Sequence, residues 1–315
     1  MMENGFKKWL RDRFGERVRW DESLAGHTSF RVGGPAEAYV SVTDAEALRE
    51  LVRKCSQAGV AYFILGGGTN LLVKDGGLNG VVIDVKKGLK EIIRLPSSEK
   101  GAVQIAAGAG VNLQAMCRYA IENGLAGLNF ALGIPGTVGG AVVMNAGTAQ
   151  GVMADVIASL KFLTAEGRFL TRSKDQLEFN YRGMTRPEPA DDSHSPLVIV
   201  EAVLSLSRSD SETVRREADA ILKERLQFQP TSDWSAGCFF KNPPGGESAG
   251  KLIDRAGLKG QTVGGAAVSE RHANFIVNTG QARAADILAL MEIVRTKVSD
   301  TFGVELEPEV KIVGE

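Results

Sequence analysis

Apolar residues recur at helical spacing in several parts of the chain. The first pattern runs from Ser41 to Gly59, where a capping box at Thr43–Glu46 begins the helix and the glycine ends it. Its inward face is formed by Leu48, Leu51, Val52 and Cys55. A longer pattern, Ser209–Gln229, opens with the capping box Ser209–Glu212. The other predicted helices are Val111–Asn123, Ala249–Ala256 and Ala282–Thr301.

Short apolar runs bounded by glycine or polar residues predict strands between these helices. They are Val60–Leu65, Val81–Val85, Val142–Val143, Val156–Leu163, Arg168–Thr171, Leu197–Leu206, Thr262–Val268 and Phe275–Val277. Near the C-terminus, Leu306–Val310 reads as an apolar strand that carries Glu307 and Glu309. Helices and strands alternate early, and strand patterns dominate after Asp155. This mixture predicts an α+β protein.

Two glycine-rich segments, Gly66–Leu72 and Gly133–Gly140, each lie beside an apolar run. Glycine makes up 37 of 315 residues, roughly 12% against about 7% in an average protein. Glycine lets a backbone approach a ligand closely, and aligned N–H groups in such loops bind anions. Asn70 and Asn145 add side-chain donors. The pair of segments therefore predicts a bulky, phosphate-bearing cofactor held from two sides. The simpler alternative is a pair of tight turns in a packed protein.

The usual nucleotide-binding fingerprints do not fit these segments. Gly108-Ala109-Gly110 begins a dinucleotide pattern, but Leu113 occupies the position of the third glycine. No glycine-rich loop ends in Lys-Ser or Lys-Thr, as a P-loop does. We therefore expect neither a Rossmann dinucleotide-binding fold nor a P-loop nucleotidase.

Length, charge and cysteine content narrow the class of protein. A chain of 315 residues exceeds the ~250–300 at which single cores stop growing, so about two or three domains are expected. The formal net charge of −1 disfavours a nucleic-acid binder. The charged N-terminus lacks a signal-peptide core and no apolar run reaches about 18 residues, so we expect a soluble cytoplasmic protein. Cys55, Cys117 and Cys238 form no paired framework, which fits free thiols in a reducing compartment.

Further candidate chemistry lies in the second half of the chain. Ser235–Pro243 combines a thiol with Lys241 and Asn242, which offer donors to a phosphate or carboxylate, although a turn with a buried cysteine is the simpler interpretation. Arg182 could bind a carboxylate in bidentate fashion or form a surface ion pair. Glu309 could act as a general acid or lie on a solvated edge. The histidines show no metal-ligand spacing, so we propose no metal.

In order and spacing, these pieces resemble the UDP-N-acetylenolpyruvoylglucosamine reductase family, flavoenzymes of peptidoglycan precursor synthesis. The resemblance spans nearly the whole chain, and its specificity lies in the joint order of the motifs. The matching stretches are His27–Phe30 with Gly33-Gly34, Leu65–Leu72, Gly133–Gly147, Tyr181-Arg182, Gly237–Pro243, Gly264–Val268 and Leu306–Val310.

The resemblance implies a vanillyl-alcohol-oxidase-type FAD-binding fold of two α/β subdomains with a C-terminal α+β substrate-binding domain. The expected boundaries are 1–86 and 87–208 for the subdomains, 209–303 for the substrate-binding domain, and 304–315 for a strand bearing Glu309. The family's reaction begins when NADPH reduces FAD and leaves, after which the enolpyruvyl UDP-sugar binds. Flavin N5 then delivers hydride to the terminal enolpyruvyl carbon, and a protein acid protonates the neighbouring carbon to give UDP-N-acetylmuramate.

The family's motifs also imply roles for individual residues. Arg182 and Glu309 would stabilise the enolate, and the glutamate would have to be protonated to donate a hydrogen bond. The implied substrate contacts are Tyr181, Lys241 and Asn242. The implied FAD contacts are Gly66, Gly67, Gly68, Thr69, Asn70, Leu71, Gly133, Pro135, Gly136, Thr137, Gly139, Gly140, Asn145 and Gly147. We expect a monomer or weak homo-oligomer whose partners are these small molecules alone, with no nucleic acid and no membrane.

Cys238 departs from the family's pattern. Many members carry a serine proton donor in the motif Gly-Ser-x-Phe-Lys-Asn-Pro, and the cysteine occupies that position here. A free thiol ordinarily has a pKa of about 8.5, far below that of an alcohol, so it is the stronger acid. We therefore predict that Cys238 replaces the serine as the proton donor.

The region after Arg182 is a second departure. Some members carry a long tyrosine-bearing insertion there, whereas here only the short loop Met184–Ser195 precedes the strand at Leu197. The chain fits the subtype without that insertion, and no tyrosine clamp on the uridyl diphosphate is assigned. Two alternatives stay open: another FAD-dependent alcohol or sugar oxidoreductase of the same cofactor fold, and a catalytically inactive nucleotide-sugar binding protein.

Overall fold

The computed structural model describes residues 2–96, 101–185, 197–230 and 233–315. Within these ranges, no helix is long and apolar enough to cross a lipid bilayer. The α-helices of these ranges are α1 (Asn4–Phe14), α2 (Ala45–Gln57), α3 (Leu113–Glu122), α4 (Val138–Val143), α5 (Met153–Val156), α6 (Ser211–Phe228), α7 (Ala249–Arg255) and α8 (Ala284–Phe302).

The strands of the described chain are mostly short. They are β1 (Val18–Ser23), β2 (Pro35–Ser41), β3 (Tyr62–Leu65), β4 (Leu71–Val73), β5 (Leu78–Asp84), β6 (Ile92–Leu95), β7 (Ala102–Gly108), β8 (Leu125–Ala126), β9 (Gly147–Thr148), β10 (Gly151–Val152), β11 (Ile157–Leu163), β12 (Phe169–Ser173), β13 (Glu178–Asn180), β14 (Gly183–Thr185), β15 (Val198–Arg208), β16 (Thr262–Val263), β17 (Ala266–Val268), β18 (Ile276–Asn278) and β19 (Lys311–Val313). The predicted early alternation is present, since α2 lies between β2 and β3 in the chain and α3 lies between β7 and β8.

The chain forms two compact units, each assembled from separate stretches of sequence. Unit 1 comprises Met1–Arg19, Ala38–Gly67 and Gly80–Glu224. Unit 2 comprises Trp20–Glu37, Gly68–Asn79 and Arg225–Glu315. The first glycine-rich segment therefore begins in unit 1 with Gly66 and Gly67 and continues in unit 2 from Gly68. The domain boundaries inferred from the family resemblance stay a prediction.

Unit 1 contains an antiparallel sheet in the order β12-β11-β15-β7-β6, with β8 paired to the end of β15. The middle strand, β15, pairs with β11 on one side and β7 on the other. Its buried residues alternate with less buried ones, as in a strand with one face on the core; they include Val200, Ala202, Leu204 and Leu206. The loop that follows β7 is hydrogen-bonded to the second glycine-rich segment, since the Ala109 carbonyl oxygen accepts from the Gly139 N–H.

A second sheet, in the order β1-β2-β5-β3, leads to the first glycine-rich segment. β3 and β5 are parallel, with Leu65 at the end of β3 opposite Asp84. Gly66 therefore leaves the carboxyl end of a parallel strand. Sheets of this kind place ligands at those ends, so the first segment starts where a cofactor is expected.

Both predicted capping boxes lie one residue from the caps that the structure uses. Asp44 rather than Thr43 caps α2, since its carboxylate accepts a hydrogen bond from the Ala47 N–H at 2.7 Å. At the start of α6, the Asp210 carboxylate accepts from the Thr213 N–H at 2.8 Å. Aspartate, serine and threonine all cap helices well, so composition does not decide between neighbours.

The strand predicted at Val142–Val143 is wrong, because these residues belong to helix α4. The Thr137 side chain caps this helix by accepting a hydrogen bond from the Gly140 N–H at 3.3 Å. Valine favours strands only through its surroundings, and here Val138 and Val142 are buried on one helical face. The second glycine-rich segment therefore turns directly into a helix.

Unit 2 has its own hydrophobic core, to which α7, α8 and the sheet β16-β17-β18 contribute. The buried side chains of α8 are Ala284, Ile287, Leu290, Met291, Val294 and Val298. Phe239 and Phe240 belong to the same core and are 0% and 1% exposed. The segment that follows Cys238 is therefore anchored by two buried rings.

The strand predicted at Leu306–Val310 is wrong, because these residues, Glu309 among them, precede the strand that the structure forms. β19 covers Lys311–Val313 and pairs in parallel with β4, whereas the stretch before it makes only an isolated bridge between Phe240 and Pro308. Proline lacks an N–H and interrupts a strand ladder, which explains the late start. The predicted loop at Met184–Ser195 lies, after Thr185, outside the described residues.

Candidate active site

The two glycine-rich segments meet within unit 1 at Gly66 and Thr137. A Cβ atom placed on Gly66 would lie 2.5 Å from Thr137 Oγ1, so only glycine fits there without displacing the threonine. The threonine hydroxyl is itself held in place because it caps α4 through the Gly140 N–H. Thr137 is buried, with 4% exposed. The end of β3 and the start of α4 are therefore packed against each other.

Several glycines predicted to contact the cofactor are required by the protein's own packing. A Cβ on Gly139 would lie 2.8 Å from Ala109 Cβ, and one on Gly147 would lie 2.4 Å from a backbone oxygen of β10. Gly68 has a φ of +62°, and its Cβ would lie 2.0 Å from the His27 carbonyl oxygen. These glycines determine the shape of the loops, and their predicted contacts with FAD stay predictions.

The second glycine-rich segment keeps an open surface that fits a flat, phosphate-bearing ligand. Gly133 and Gly136 have φ angles of +75° and +117°, which glycine adopts readily. A Cβ on Gly140 would meet only Thr137 Oγ1, at the ordinary distance of 3.5 Å. Val143, about one turn further along α4, is 43% exposed although it is apolar. An open glycine backbone beside an exposed apolar side chain suits the ring system of FAD.

Asn145 connects the second glycine-rich segment to the hairpin that carries Arg182. It is 7% exposed and has a φ of +40°, which is uncommon for a residue with a side chain. Its Nδ2 donates to the Asn180 carbonyl oxygen at 3.1 Å, and its Oδ1 accepts from the Ala154 N–H at 3.0 Å. The Asn145 carboxamide thus binds the protein's own backbone. Its contact with FAD stays a prediction.

Arg182 lies in the turn between β13 and β14, where Asn180 pairs with Gly183. Its φ of +58° is strained for a non-glycine residue, and such strain is often retained at functional sites. The guanidinium carbon lies 5.1 Å from the centre of the Tyr181 ring, within the range of a cation–π contact. Tyr181 is 54% exposed, whereas Arg182 is partly buried and its Nε is enclosed by protein.

In unit 2, backbone hydrogen bonds bring Cys238 and Glu309 into one region. The Glu309 N–H donates to the carbonyl oxygen of Phe239, the residue after Cys238, at 2.8 Å. The Lys241 N–H donates to the Glu307 carbonyl oxygen at 2.9 Å. We refer to these two bonds as the Phe239–Glu309 ladder. Because the ladder joins the neighbour of the thiol to the glutamate itself, the two predicted acids share one small part of the fold.

The first glycine-rich segment reaches the same region through Asn70. The Asn70 Nδ2 donates to the Glu309 carbonyl oxygen at 3.2 Å, and the Asn70 carbonyl accepts from the Lys311 N–H at 3.0 Å. The next residue, Leu71, is paired with Lys311 in the β4–β19 ladder. Asn70 therefore fixes the backbone of the predicted acid.

The remaining predicted residues differ in exposure and in their partners. Lys241 Nζ lies 3.2 Å from Glu307 Oε2 in a partly exposed ion pair. Asn242 is exposed, and its Oδ1 accepts from the Ala249 N–H at 3.0 Å, at the start of α7. Among the predicted FAD contacts, Gly67 and Thr69 are partly exposed, Pro135 is exposed and Leu71 is buried.

Asn274 is not among the residues predicted from the sequence. It is 3% exposed, and its carboxamide makes two hydrogen bonds with the backbone of Phe240. The available signal was a polar residue just before the predicted strand Phe275–Val277, but its partner lies 34 positions away in the chain. Sequence patterns cannot reveal that contact.

The three cysteines differ in burial. Burial raises the pKa of Cys55 and of Cys117 to about 12, so both stay protonated near neutral pH. Cys238 is only half-buried. Thiolates, not thiols, react with alkylating reagents, which singles out Cys238 as the accessible group.

Iodoacetamide should therefore label the native protein on Cys238 alone. Mass spectrometry of peptides should show modification of Cys238 under native conditions and of all three free cysteines in denaturant. Cys55 and Cys117 serve as internal controls. Labelling of either at the rate of Cys238 in folded protein would contradict the burial that the structure gives them.

Gly66→Ala should weaken FAD binding, because the new Cβ would displace Thr137 and with it the start of α4. Thr137→Ala removes the nearest atom and leaves Thr137 Cβ at 3.6 Å, so the double variant should recover part of the loss. We expect a coupling energy on the order of 0.5–3 kcal/mol from dissociation constants measured by flavin fluorescence. Gly5→Ala, with nothing within 4 Å of its Cβ, is the control. Equal FAD retention by Gly5→Ala and Gly66→Ala would show that the contact is unnecessary.

Comparison with protein-family models recovers both parts of the chain. The family described as FAD binding domain matches residues 36–173. The family described as UDP-N-acetylenolpyruvoylglucosamine reductase, C-terminal domain, matches residues 229–313. The first match contains both glycine-rich segments, and the second contains Cys238, Lys241 and Glu309.

Individual relatives match along nearly the whole chain. A UDP-N-acetylenolpyruvoylglucosamine reductase of Desulfosudis oleivorans is 50% identical over 314 residues, covering 100% of both chains. One of Heliobacterium modesticaldum is 39% identical over 95% of this chain and 92% of its own. The crystal structure of the Thermus caldophilus UDP-N-acetylenolpyruvylglucosamine reductase is 35% identical, with a TM-score of 0.76 over 94% of this chain and 100% of that one.

These comparisons confirm the predicted α+β fold, in which an FAD-binding part precedes a separate C-terminal domain. They also confirm the resemblance that the order of motifs predicts. By sequence identity, domain content and fold, the chain belongs to the UDP-N-acetylenolpyruvoylglucosamine reductase family.

Proposed function

We propose that this protein reduces UDP-N-acetylglucosamine enolpyruvate to UDP-N-acetylmuramate, with FAD as bound cofactor and NADPH as hydride donor. The observation that carries the proposal is the Phe239–Glu309 ladder, which joins the backbone next to Cys238 to the backbone of Glu309 in unit 2. A relative that bears the reductase name aligns over the whole chain at 50% identity. The reaction belongs to peptidoglycan precursor synthesis, and we expect it in the cytoplasm.

FAD would be held by the two glycine-rich segments. Gly140 and the positive-φ glycines of the second segment supply the open surface of unit 1, and the buried Thr137 supports it by capping α4. When bound, FAD supplies the hydride that reaches the terminal carbon of the enolpyruvyl group. The residues of the chain then have to bind the charge that develops and deliver a proton.

Cys238 delivers that proton. Hydride addition leaves negative charge on the neighbouring carbon and its carboxylate, and the proton moves from Cys238 Sγ to this carbon. The electron pair of the S–H bond stays on sulfur as a thiolate, which solvent reprotonates. Because a thiol is a stronger acid than an alcohol, cysteine can act as the proton donor at the position where many members of the family have serine.

Arg182 and Glu309 stabilise the enolate before the proton arrives. The planar guanidinium suits bidentate binding of the substrate carboxylate, and a protonated Glu309 can donate a hydrogen bond to the developing charge. The backbone of Glu309 is fixed by Asn70 and by Phe239. Donors that are already in place need little reorganisation in the transition state, which favours this assignment.

Tyr181, Lys241 and Asn242 are proposed to bind the sugar nucleotide. Lys241 is partly exposed and pairs with Glu307 on the surface, so a diphosphate can replace the glutamate carboxylate at little cost, because surface ion pairs are weak. Small-molecule substrates suffice for this function, and we expect a monomer or weak homo-oligomer.

The direct test is anaerobic reoxidation of the reduced enzyme. Protein reduced with NADPH, then freed of excess nucleotide, should regain its oxidised flavin spectrum when the enolpyruvyl UDP-sugar is added. UDP-N-acetylglucosamine, which lacks the enolpyruvyl group, is the matched control and should leave the flavin reduced. Reoxidation by oxygen but not by the enolpyruvyl sugar would indicate another flavin oxidoreductase. A protein that binds the sugar but no flavin would indicate an inactive binding protein.

A further inference from the structure

The segment that follows Cys238 is hydrogen-bonded to two separate stretches of unit 2. One is the stretch that bears Glu307 and Glu309, through the Phe239–Glu309 ladder. The other is Asn274, whose carbonyl oxygen accepts from the Phe239 N–H at 2.7 Å. The backbone next to the thiol is therefore held from more than one direction.

The Asn274 side chain acts on Phe240 as a neighbouring peptide unit would in a sheet. Its Oδ1 accepts from the Phe240 N–H at 2.9 Å, and its Nδ2 donates to the Phe240 carbonyl oxygen at 2.8 Å. Asn274 is 3% exposed and Phe240 is 1% exposed, so water cannot easily replace these bonds. Buried backbone groups are nearly always paired because leaving them unpaired is costly. One carboxamide therefore fixes both polar groups of Phe240.

The position of Cys238 depends more on the hydrogen bonds that Asn274 makes with Phe239 and Phe240 than on Gly237. Gly237 has a φ of +79°, and a Cβ there would meet nothing within 4 Å. On the other side, the Phe239 and Phe240 rings are in contact at 5.2 Å between centroids, and Phe239 contacts Phe30 at 6.2 Å. Cys238 thus follows a glycine that packing does not restrict and precedes two residues whose rings are packed. The position of the thiol is therefore determined by Phe239 and Phe240.

We propose that Asn274 is a positioning residue for proton transfer, because its carboxamide fixes the backbone that carries Cys238 relative to the substrate carbon. The inference rests on the proposed role of Cys238 as proton donor. Asn274 touches neither substrate nor cofactor in this proposal and acts only through Phe239 and Phe240. A small displacement matters because a misplacement of about 1 Å can slow a reaction about 10²-fold.

Asn278 offers a matched control in the same unit. It is 6% exposed, and its Nδ2 donates to the Phe30 carbonyl oxygen at 2.8 Å. Its Oδ1 accepts from the Gly280 and Ala282 N–H groups at 2.8 and 3.0 Å. Its side chain is therefore as buried and as fully bonded as that of Asn274, but it makes none of the hydrogen bonds that hold Phe240.

The test compares the two half-reactions in FAD-loaded Asn274→Asp. This substitution keeps the volume and the acceptor for the Phe240 N–H but loses the donor to the Phe240 carbonyl. Flavin reduction by NADPH should stay within about twofold of wild type, whereas reoxidation by the enolpyruvyl UDP-sugar should slow about tenfold or more. The rate at which iodoacetamide labels Cys238 should change as well, a readout that needs no turnover. Asn278→Asp, which likewise keeps the acceptor and loses the donor to the Phe30 carbonyl, should lower the thermal unfolding midpoint without a selective loss of reoxidation.

Unchanged labelling and unchanged reoxidation in folded Asn274→Asp would overturn the inference. Equal slowing of both half-reactions would overturn it too, because that result indicates general destabilisation. The same selective loss in Asn278→Asp would also overturn it, because the effect would then not be specific to Asn274. Changed labelling with normal reoxidation would support Asn274 as the residue that positions Cys238 while refuting Cys238 as the proton donor. If Asn274→Asp does not fold, Asn274→Ser takes its place, since it brings no charge into the core.

Discussion

The missing side chain at Gly66 lets Thr137 occupy the space beside the end of β3, and the loops of unit 1 that we propose to hold FAD depend on this contact. The same threonine hydroxyl caps α4, so one group fixes the end of a strand and the start of a helix. The chain that leaves α4 reaches Asn145, whose carboxamide holds the hairpin of Arg182. The contact between Gly66 and Thr137 is thus connected to the hairpin of Arg182, a proposed catalytic residue. The connection runs through the cap of α4 and the Asn145 carboxamide.

Unit 2 holds its acidic groups in the same manner, with carboxamides bonded to backbone. Asn70 bonds to the Glu309 carbonyl, and Asn274 bonds to both polar groups of Phe240. A carboxamide has a donor and an acceptor, as a peptide unit does, so it can replace a strand neighbour where the chain is too irregular for a sheet. The proposed catalytic side chains lie on short, irregular segments. The carboxamides of the buried Asn274 and the partly exposed Asn70 hold these segments in place, as neighbouring strands do elsewhere.

Much of the fold could be predicted from the sequence, whereas the roles of the site residues stay predictions. The helix ending at Gly59 follows from amphipathic periodicity and a stop signal, and Arg182, Cys238 and Glu309 follow from the order of motifs. Val142–Val143 was assigned to the wrong element because burial on one face outweighs the preference of valine for strands. Asn274 escapes prediction because its partner lies 34 positions away. The packing role of Gly139 likewise needs the Ala109 contact to be seen.

Proton donation by Cys238 is tested most directly by rapid mixing that resolves the two half-reactions in Cys238→Ala and Cys238→Ser. The alanine variant should be reduced by NADPH at close to the wild-type rate, because that step needs no protein acid. Its reoxidation by the enolpyruvyl UDP-sugar should fall about 10²–10⁴-fold, the usual contribution of general acid catalysis, whereas the serine variant should retain substantial reoxidation. An alanine variant that is reoxidised as fast as wild type would contradict the assignment of Cys238 as the proton donor.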